Sequence, residues 1–165
     1  MLDLEGQRTD LRPKLAVAHR TAMLLIMSFA VSIGVYVAAG VILLGNVKTT
    51  PTVTPVPFYA GAVILAIGSV VFRRSQMHRF RLEAVTLKRG PEGLIKHFVT
   101  VTIVSAALAE AIGALGLVGT LLTAESDVVV RLGIVALAII FYNYPRRGAW
   151  QHAVDYYSAT LPGRK

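Results

Sequence analysis

The strongest constraint in this sequence is the stretch at residues 21–45, TAMLLIMSFAVSIGVYVAAGVILLG, which contains no charged side chain. A bilayer core is about 30 Å thick, and a helix needs roughly 20 apolar residues to cross it. Three more stretches approach or meet that length. Residues 53–72 carry no charge, and Pro55 and Pro57 suit a first helical turn, where a missing N–H costs little. Residues 98–124 hold one charge, Glu110. Residues 128–144 hold Arg131 and stop at Pro145. The expectation is an all-α polytopic membrane protein, with four transmembrane helices in an antiparallel bundle and a single domain over residues 1–165.

Composition agrees. Hydrophobic residues make up 55% of the chain and charged residues 16%, against about 25% charged in an ordinary soluble domain. Mean hydropathy is +0.61. These values exclude a disordered chain, collagen and an acidic tail protein, and argue against a soluble enzyme. The chain has no cysteine. Disulfides, thiolate zinc sites, cysteine nucleophiles and cysteine-held iron–sulfur clusters are therefore excluded.

A net charge of +8 in a soluble protein would suggest nucleic acid. Here the placement of the charge decides otherwise. Arg8, Arg12, Lys14 and Arg20 precede the first stretch. Arg73, Arg74, Arg79, Arg81, Lys88, Arg89 and Lys96 lie between the second and third. Arg146, Arg147, Arg164 and Lys165 follow the fourth. Only Lys48 and Arg131 fall on the other side. The positive-inside rule then places both termini and the central loop in the cytoplasm, with the chain in a cell (inner) membrane. The expected partners are the bilayer with its anionic headgroups, and other membrane subunits or further copies of the chain; nucleic acid is not expected. A cleaved signal peptide is the competing reading of the first stretch. Its apolar run is too long for that, and a largely polar segment precedes it. Asp3, Glu5 and Asp10 argue against a transit peptide.

In the central loop, residues 73–97, Met77, Phe80, Ala84 and Leu87 recur at three- and four-residue spacing. They predict an amphipathic helix ended by Gly90 and Pro91. It reads equally as a lipid-surface helix and as a solvated extension of the second span. A hint of internal duplication is also present. Ile33-Gly34 and Gly40 match Ile112-Gly113 and Gly119 at a constant offset, and Arg73-Arg74 matches Arg146-Arg147.

Glu110 is the most informative single residue. It sits almost at the midpoint of its span, where an ionised carboxylate costs roughly 3 kcal/mol on insertion scales. The neutral form is the expectation, and a carboxyl that stays protonated there is a candidate proton carrier. Its neighbours Ala106, Ala107, Ala109, Ala111, Gly113 and Ala114 are small, which lets helices approach closely. The alternative role is interhelical glue, bonded to Ser32, Tyr36, a backbone carbonyl or a partner subunit. Small-residue faces at Ala30/Gly34/Ala38 and Ala109/Gly113/Gly116 are candidate packing surfaces, with Gly34, Ala38, Gly113 and Gly116 at their centres.

Arg89-Gly90-Pro91-Glu92, followed by an apolar helix with Ala-Leu-Ala-Glu110-Ala-Ile-Gly-Ala-Leu-Gly-Leu-Val, resembles subunit c of rotary ATP synthases. That family has a cytoplasmic Arg-Gln/Asn-Pro loop, then a helix with a proton-binding carboxylate at a similar distance from the proline. The resemblance covers residues 89–123 and implies that Glu110 binds an ion.

Histidines 19, 78, 97 and 152 all fall on the basic side. A pair of them could ligate haem or one could bind a quinone, but the preferred reading is interfacial polar residues with no cofactor and no metal. Tyr142, Tyr144, Arg146, Arg147 and Trp150 read as an aromatic belt with arginine anchors, with the segment after Trp150 lying on the membrane. Arg131 can pair with Glu125 or Asp127. No phosphate-binding glycine loop, zinc motif or nucleophile elbow is present, and the loops are too short for a catalytic domain. The reading is a small integral membrane subunit of a larger complex, not an enzyme. It is either ion-coupled through Glu110 or a structural or assembly subunit.

Overall fold

The computed structural model describes the backbone of residues 2–46 and 50–160, and side chains from residues 11–45 and 50–157. Lys48, Arg164 and Lys165, counted in the charge distribution above, lie outside the described residues, as does the side chain of Arg8. The fold is all-α: α1 spans Leu2–Asn46, α2 Val56–Gln76, α3 Arg79–Thr123, α4 Ser126–Tyr142 and α5 Arg147–Thr160. Four helical segments are long and apolar enough to cross a membrane. The chain is thus a polytopic membrane protein built as a four-helix antiparallel bundle.

α3 is the centre of the bundle and touches every other helix. Its sequence explains why. Ser105, Ala106, Ala109, Gly113, Gly116 and Gly119 are all buried, so neighbours can approach from several sides. α4 packs beside it through Val128, Val129, Leu132, Gly133, Ala136 and Ile140. α1 and α2 take opposite flanks. Each contacts α3 and α4, and among the described residues they do not contact each other. α1 turns Ala22, Ile26 and Ile33 inward, while α2 buries only Ala62 and Ser69.

Several glycines set the helix spacing, Gly40 against Val129 and Gly119 against Val128 and Phe58 among them. A Cβ on Gly113 would lie 3.0 Å from Ile33 Cγ1, one on Gly116 3.2 Å from Val129 Cα, and one on Gly133 2.5 Å from Val37 Cγ2. Gly113 thus faces α1, and Gly116 faces α4. Gly34 and Ala38 are placed differently: both are exposed, and nothing lies within 4 Å of a Cβ built on Gly34. The reason is rotational. Successive helical residues are about 100° apart, and α1 turns bulky Ile33, not Gly34, into the space left by Gly113.

The α3–α4 turn is tight. Ala124 closes α3 in the left-handed region at φ 57. The buried Thr120 hydroxyl accepts from Val129 N at 2.9 Å and donates to Glu125 O at 3.1 Å. It thereby satisfies an α4 N-terminal N–H that has no partner within its own helix. The linker before α2 is tied to the same end, where Thr52 N and Oγ1 both donate to Leu122 O at 3.0 Å.

The segment 73–97 is not a single helix. α2 continues to Gln76, Met77 and His78 turn, and α3 begins at Arg79. Gly90 breaks α3 with φ 66 and ψ −173, a conformation only glycine adopts at no steric cost, and Pro91 restarts the helix. Before that break Leu82 and Thr86 face the bundle, whereas Phe80 and Leu87 are 74% and 68% exposed. The predicted apolar face therefore points outward at Phe80, Ala84 and Leu87, while Met77 packs against the core.

A second core forms at this basic end. Leu11 and Leu15 of α1, Leu82, Leu94 and Phe98 of α3, and Trp150, Val154 and Tyr157 of α5 pack together. The i, i+4, i+7 spacing of the α5 residues gives it one apolar face.

Candidate functional site

Glu110 lies on the α1-facing side of α3, half-buried. Tyr36 Oη of α1 donates a hydrogen bond to Glu110 Oε1 at 3.1 Å. The bond forms because Gly113, one turn along, lets Ile33 and Tyr36 approach α3 closely. Among the described residues Glu110 Oε2 has no hydrogen-bond partner, and the Ser32 hydroxyl takes no part in this bridge. No salt bridge reaches Glu110 among the described residues, whose ion pairs are Lys14–Glu92, Arg79–Glu83 and Arg131–Asp127. A phenol–carboxyl pair joining two spans can hold helices together. It can also present a proton-accepting oxygen beside a bound hydroxyl.

The other sequence-selected residues lie away from this bridge. Tyr142 is 64% and Tyr144 40% exposed, and Arg146 and Arg147 are exposed, as an interfacial belt requires. Trp150 is not among them. It is only 4% exposed, stacks on Phe98 at 5.3 Å between centroids and meets His19 edge-on at 5.5 Å. α5 thus docks on the bundle by its apolar face, and Trp150 is a core residue. Arg131 donates to Asp127 at 2.9 Å, both side chains being exposed. His19 Nε2 lies 3.0 Å from Pro145 O and His97 Nε2 3.1 Å from Gln76 O, so each imidazole is engaged with backbone. Among the described residues no group of three or more His, Asp or Glu is placed to hold a metal.

A polar chain that no sequence motif marks runs through the basic end. Arg73 Nη1 donates to Asn143 Oδ1 at 3.1 Å and to Tyr142 O at 3.3 Å. Asn143, only 1% exposed, donates through Nδ2 to Ser69 Oγ at 3.1 Å. Ser69 Oγ donates to Ser105 O at 3.3 Å, which joins α2, α3 and α4. The available signal was Asn143 itself, an amide inside an otherwise aromatic run, Phe141-Tyr142-Asn143-Tyr144. No family model matches the chain, and neither a curated protein nor a solved structure does.

Proposed function

We propose that the chain is a small, non-catalytic subunit of a larger membrane assembly, with Glu110 as its protonatable group and both termini cytoplasmic. The observation that carries this reading is the half-exposed Glu110 at mid-span, with Oε1 bonded to Tyr36 and Oε2 given no partner by the described residues. A carboxyl oxygen facing hydrocarbon is costly to leave unpaired. A neighbouring subunit, whether another chain or a second copy, supplies the missing partner. The local resemblance to subunit c supports an ion-binding role for the same carboxyl. The clustering of basic residues at one end of the bundle supports the cytoplasmic orientation.

Native purification in mild detergent tests the assembly, and co-purifying chains identify it. A chain that purifies from native membranes alone as a monomer overturns the subunit reading. Within the assembly, Glu110→Gln keeps the shape and can still accept from Tyr36, but it cannot release a proton. It is expected to assemble normally and to abolish the proton-linked activity. A hydrophobic carbodiimide is expected to modify Glu110 in preference to Glu83, Glu92 and Glu125. The Tyr36 hydrogen bond favours a second reading, in which the pair only ties α1 to α3. On that reading Glu110→Gln is nearly silent and Glu110→Leu impairs assembly. A normal complex with full activity in Glu110→Gln would sink the proton-carrier reading.

A further inference from the structure

A cleft of about 990 Å3 opens at the basic end, between the end of α2, the end of α4 and the start of α5. Arg73, Arg74 and Arg146 line one part of it, and Phe98, Tyr142 and Trp150 another. No acidic side chain contributes to the wall. Among the described residues none of the three arginines is ion-paired, so the cleft holds three guanidinium groups without a counter-charge. Guanidinium groups pair with phosphate in bidentate fashion and are less strongly hydrated than ammonium groups.

The cleft is preorganised on one side. Arg73 spends Nη1 on Asn143 and the Tyr142 carbonyl, both neutral acceptors, and keeps its remaining N–H donors. Asn143 is fixed in turn by buried Ser69. Arg73 is thus held in place without being neutralised. Its surroundings also say where a ligand's apolar part would lie. Ile67, Val71 and Arg74 follow one another on α2 at four- and three-residue spacing, and Ile67 and Val71 are exposed. One face of α2 therefore runs from hydrocarbon-facing side chains directly to a guanidinium. Phe141, 73% exposed, continues the same apolar surface on the α4 side.

We propose that this cleft is a binding site for one anionic phospholipid. Its phosphate would sit among Arg73, Arg74 and Arg146, and its acyl chains along α2 beside Val71. The volume suits a headgroup with its glycerol, since ligand sites commonly enclose about 300–1,000 Å3. Basic pockets between membrane helices are suited to anionic headgroups. The site is independent of Glu110, which lies mid-span.

The test uses the purified full chain in detergent, with native mass spectrometry and thermal unfolding as readouts. Phosphatidylglycerol is expected to bind as a single tight adduct and to raise the unfolding temperature, while phosphatidylcholine does neither. Arg74 and Arg146 are exposed and, among the described residues, make no side-chain hydrogen bond, so Arg74→Gln with Arg146→Gln tests charge without disturbing the fold. Each basic residue near an anionic surface contributes about 1 kcal/mol, so this double variant should bind phosphatidylglycerol roughly 30-fold more weakly. Lys88→Gln with Arg89→Gln removes the same charge from exposed positions outside the cleft and should leave binding unchanged. Asn143→Ala frees Arg73 and should weaken phosphatidylglycerol binding without creating affinity for phosphatidylcholine. Equal binding of the two lipids, or equal loss in the two double variants, would overturn the site. Displacement of the adduct by millimolar inorganic phosphate would overturn the lipid assignment in favour of a soluble phosphate.

Discussion

Replacing Gly113 by leucine places a Cβ 3.0 Å from Ile33 Cγ1 and 3.4 Å from Tyr36 Cδ2, closer than the roughly 3.5–4.0 Å of ordinary carbon contacts. The remaining side-chain carbons must enter the same space, so α1 and α3 separate. Overpacking of this kind costs about 1–3 kcal/mol. Separation also stretches the Tyr36–Glu110 bond, and interhelical bonds in membranes average about 0.6 kcal/mol. The better helix propensity of leucine over glycine returns somewhat less than 1 kcal/mol. The net expectation is a loss of about 1–3 kcal/mol. Gly34→Leu is the matched control, because nothing lies within 4 Å of a Cβ there. Only the propensity term applies, so stability should be unchanged or higher by up to about 1 kcal/mol. The gap between the two variants should be about 2–4 kcal/mol. Reversible unfolding in mixed micelles, followed by circular dichroism, measures it, with Leu115→Ile as a volume-conserving reference. Equal losses at Gly34 and Gly113 would refute the rotation of α1 described here.

Cysteine labelling tests orientation cleanly, since the native chain has none. A cysteine at Thr50 should react with an impermeant external thiol reagent in intact cells, and one at Ser75 should not; external labelling at Ser75 would reverse the topology. Thr120→Val keeps the volume but leaves the buried Val129 N–H without a partner, so it should cost about 1–3 kcal/mol in the same unfolding assay. Trp150 is the sole tryptophan, which makes fluorescence specific to the α5 dock. Its emission should be blue-shifted and poorly quenched by iodide, and Trp150→Ala should lower stability by about 3–5 kcal/mol. Emission typical of exposed indole would contradict the packing of Trp150 on Phe98.

The spans were legible because length and apolar character alone dictate them. Glu110 stood out because a lone charge inside such a stretch has few explanations, and Tyr36 was among the few side chains able to reach it. What the sequence leaves open is rotation. Ala30, Gly34 and Ala38 make as good a small-residue face as Gly113 and Gly116 do. The choice between them depends on where Ile33 and Val37 of α1 find room, and that room is supplied by Gly113 and Gly133 much later in the chain. Trp150 was misplaced for a similar reason. A tryptophan beside arginines reads as an interfacial anchor until Phe98 and His19, both distant in sequence, close around it. Phe80 and Leu87 show the converse. Their apolar spacing was visible, but the bundle's use of Leu82 and Thr86 on the opposite face was not.

Among the described residues α1 and α2 do not touch, which bears on how the chain is made. Sequential elements are usually spatial neighbours, so a helical hairpin emerging from a ribosome can begin to pair at once. Here, among the described residues, the first two spans do not touch each other. Each is expected to stay unpaired in the lipid until α3 arrives to fill the space between them. The later half carries its own turn, closed by Thr120, and can pair as it is synthesised. The expected order of assembly therefore runs against the order of synthesis, with the second hairpin as the template on which the first is laid down. A truncation after α2 should leave two unassociated spans for quality-control proteases, whereas a separately expressed α3–α4 hairpin should be able to capture them in trans.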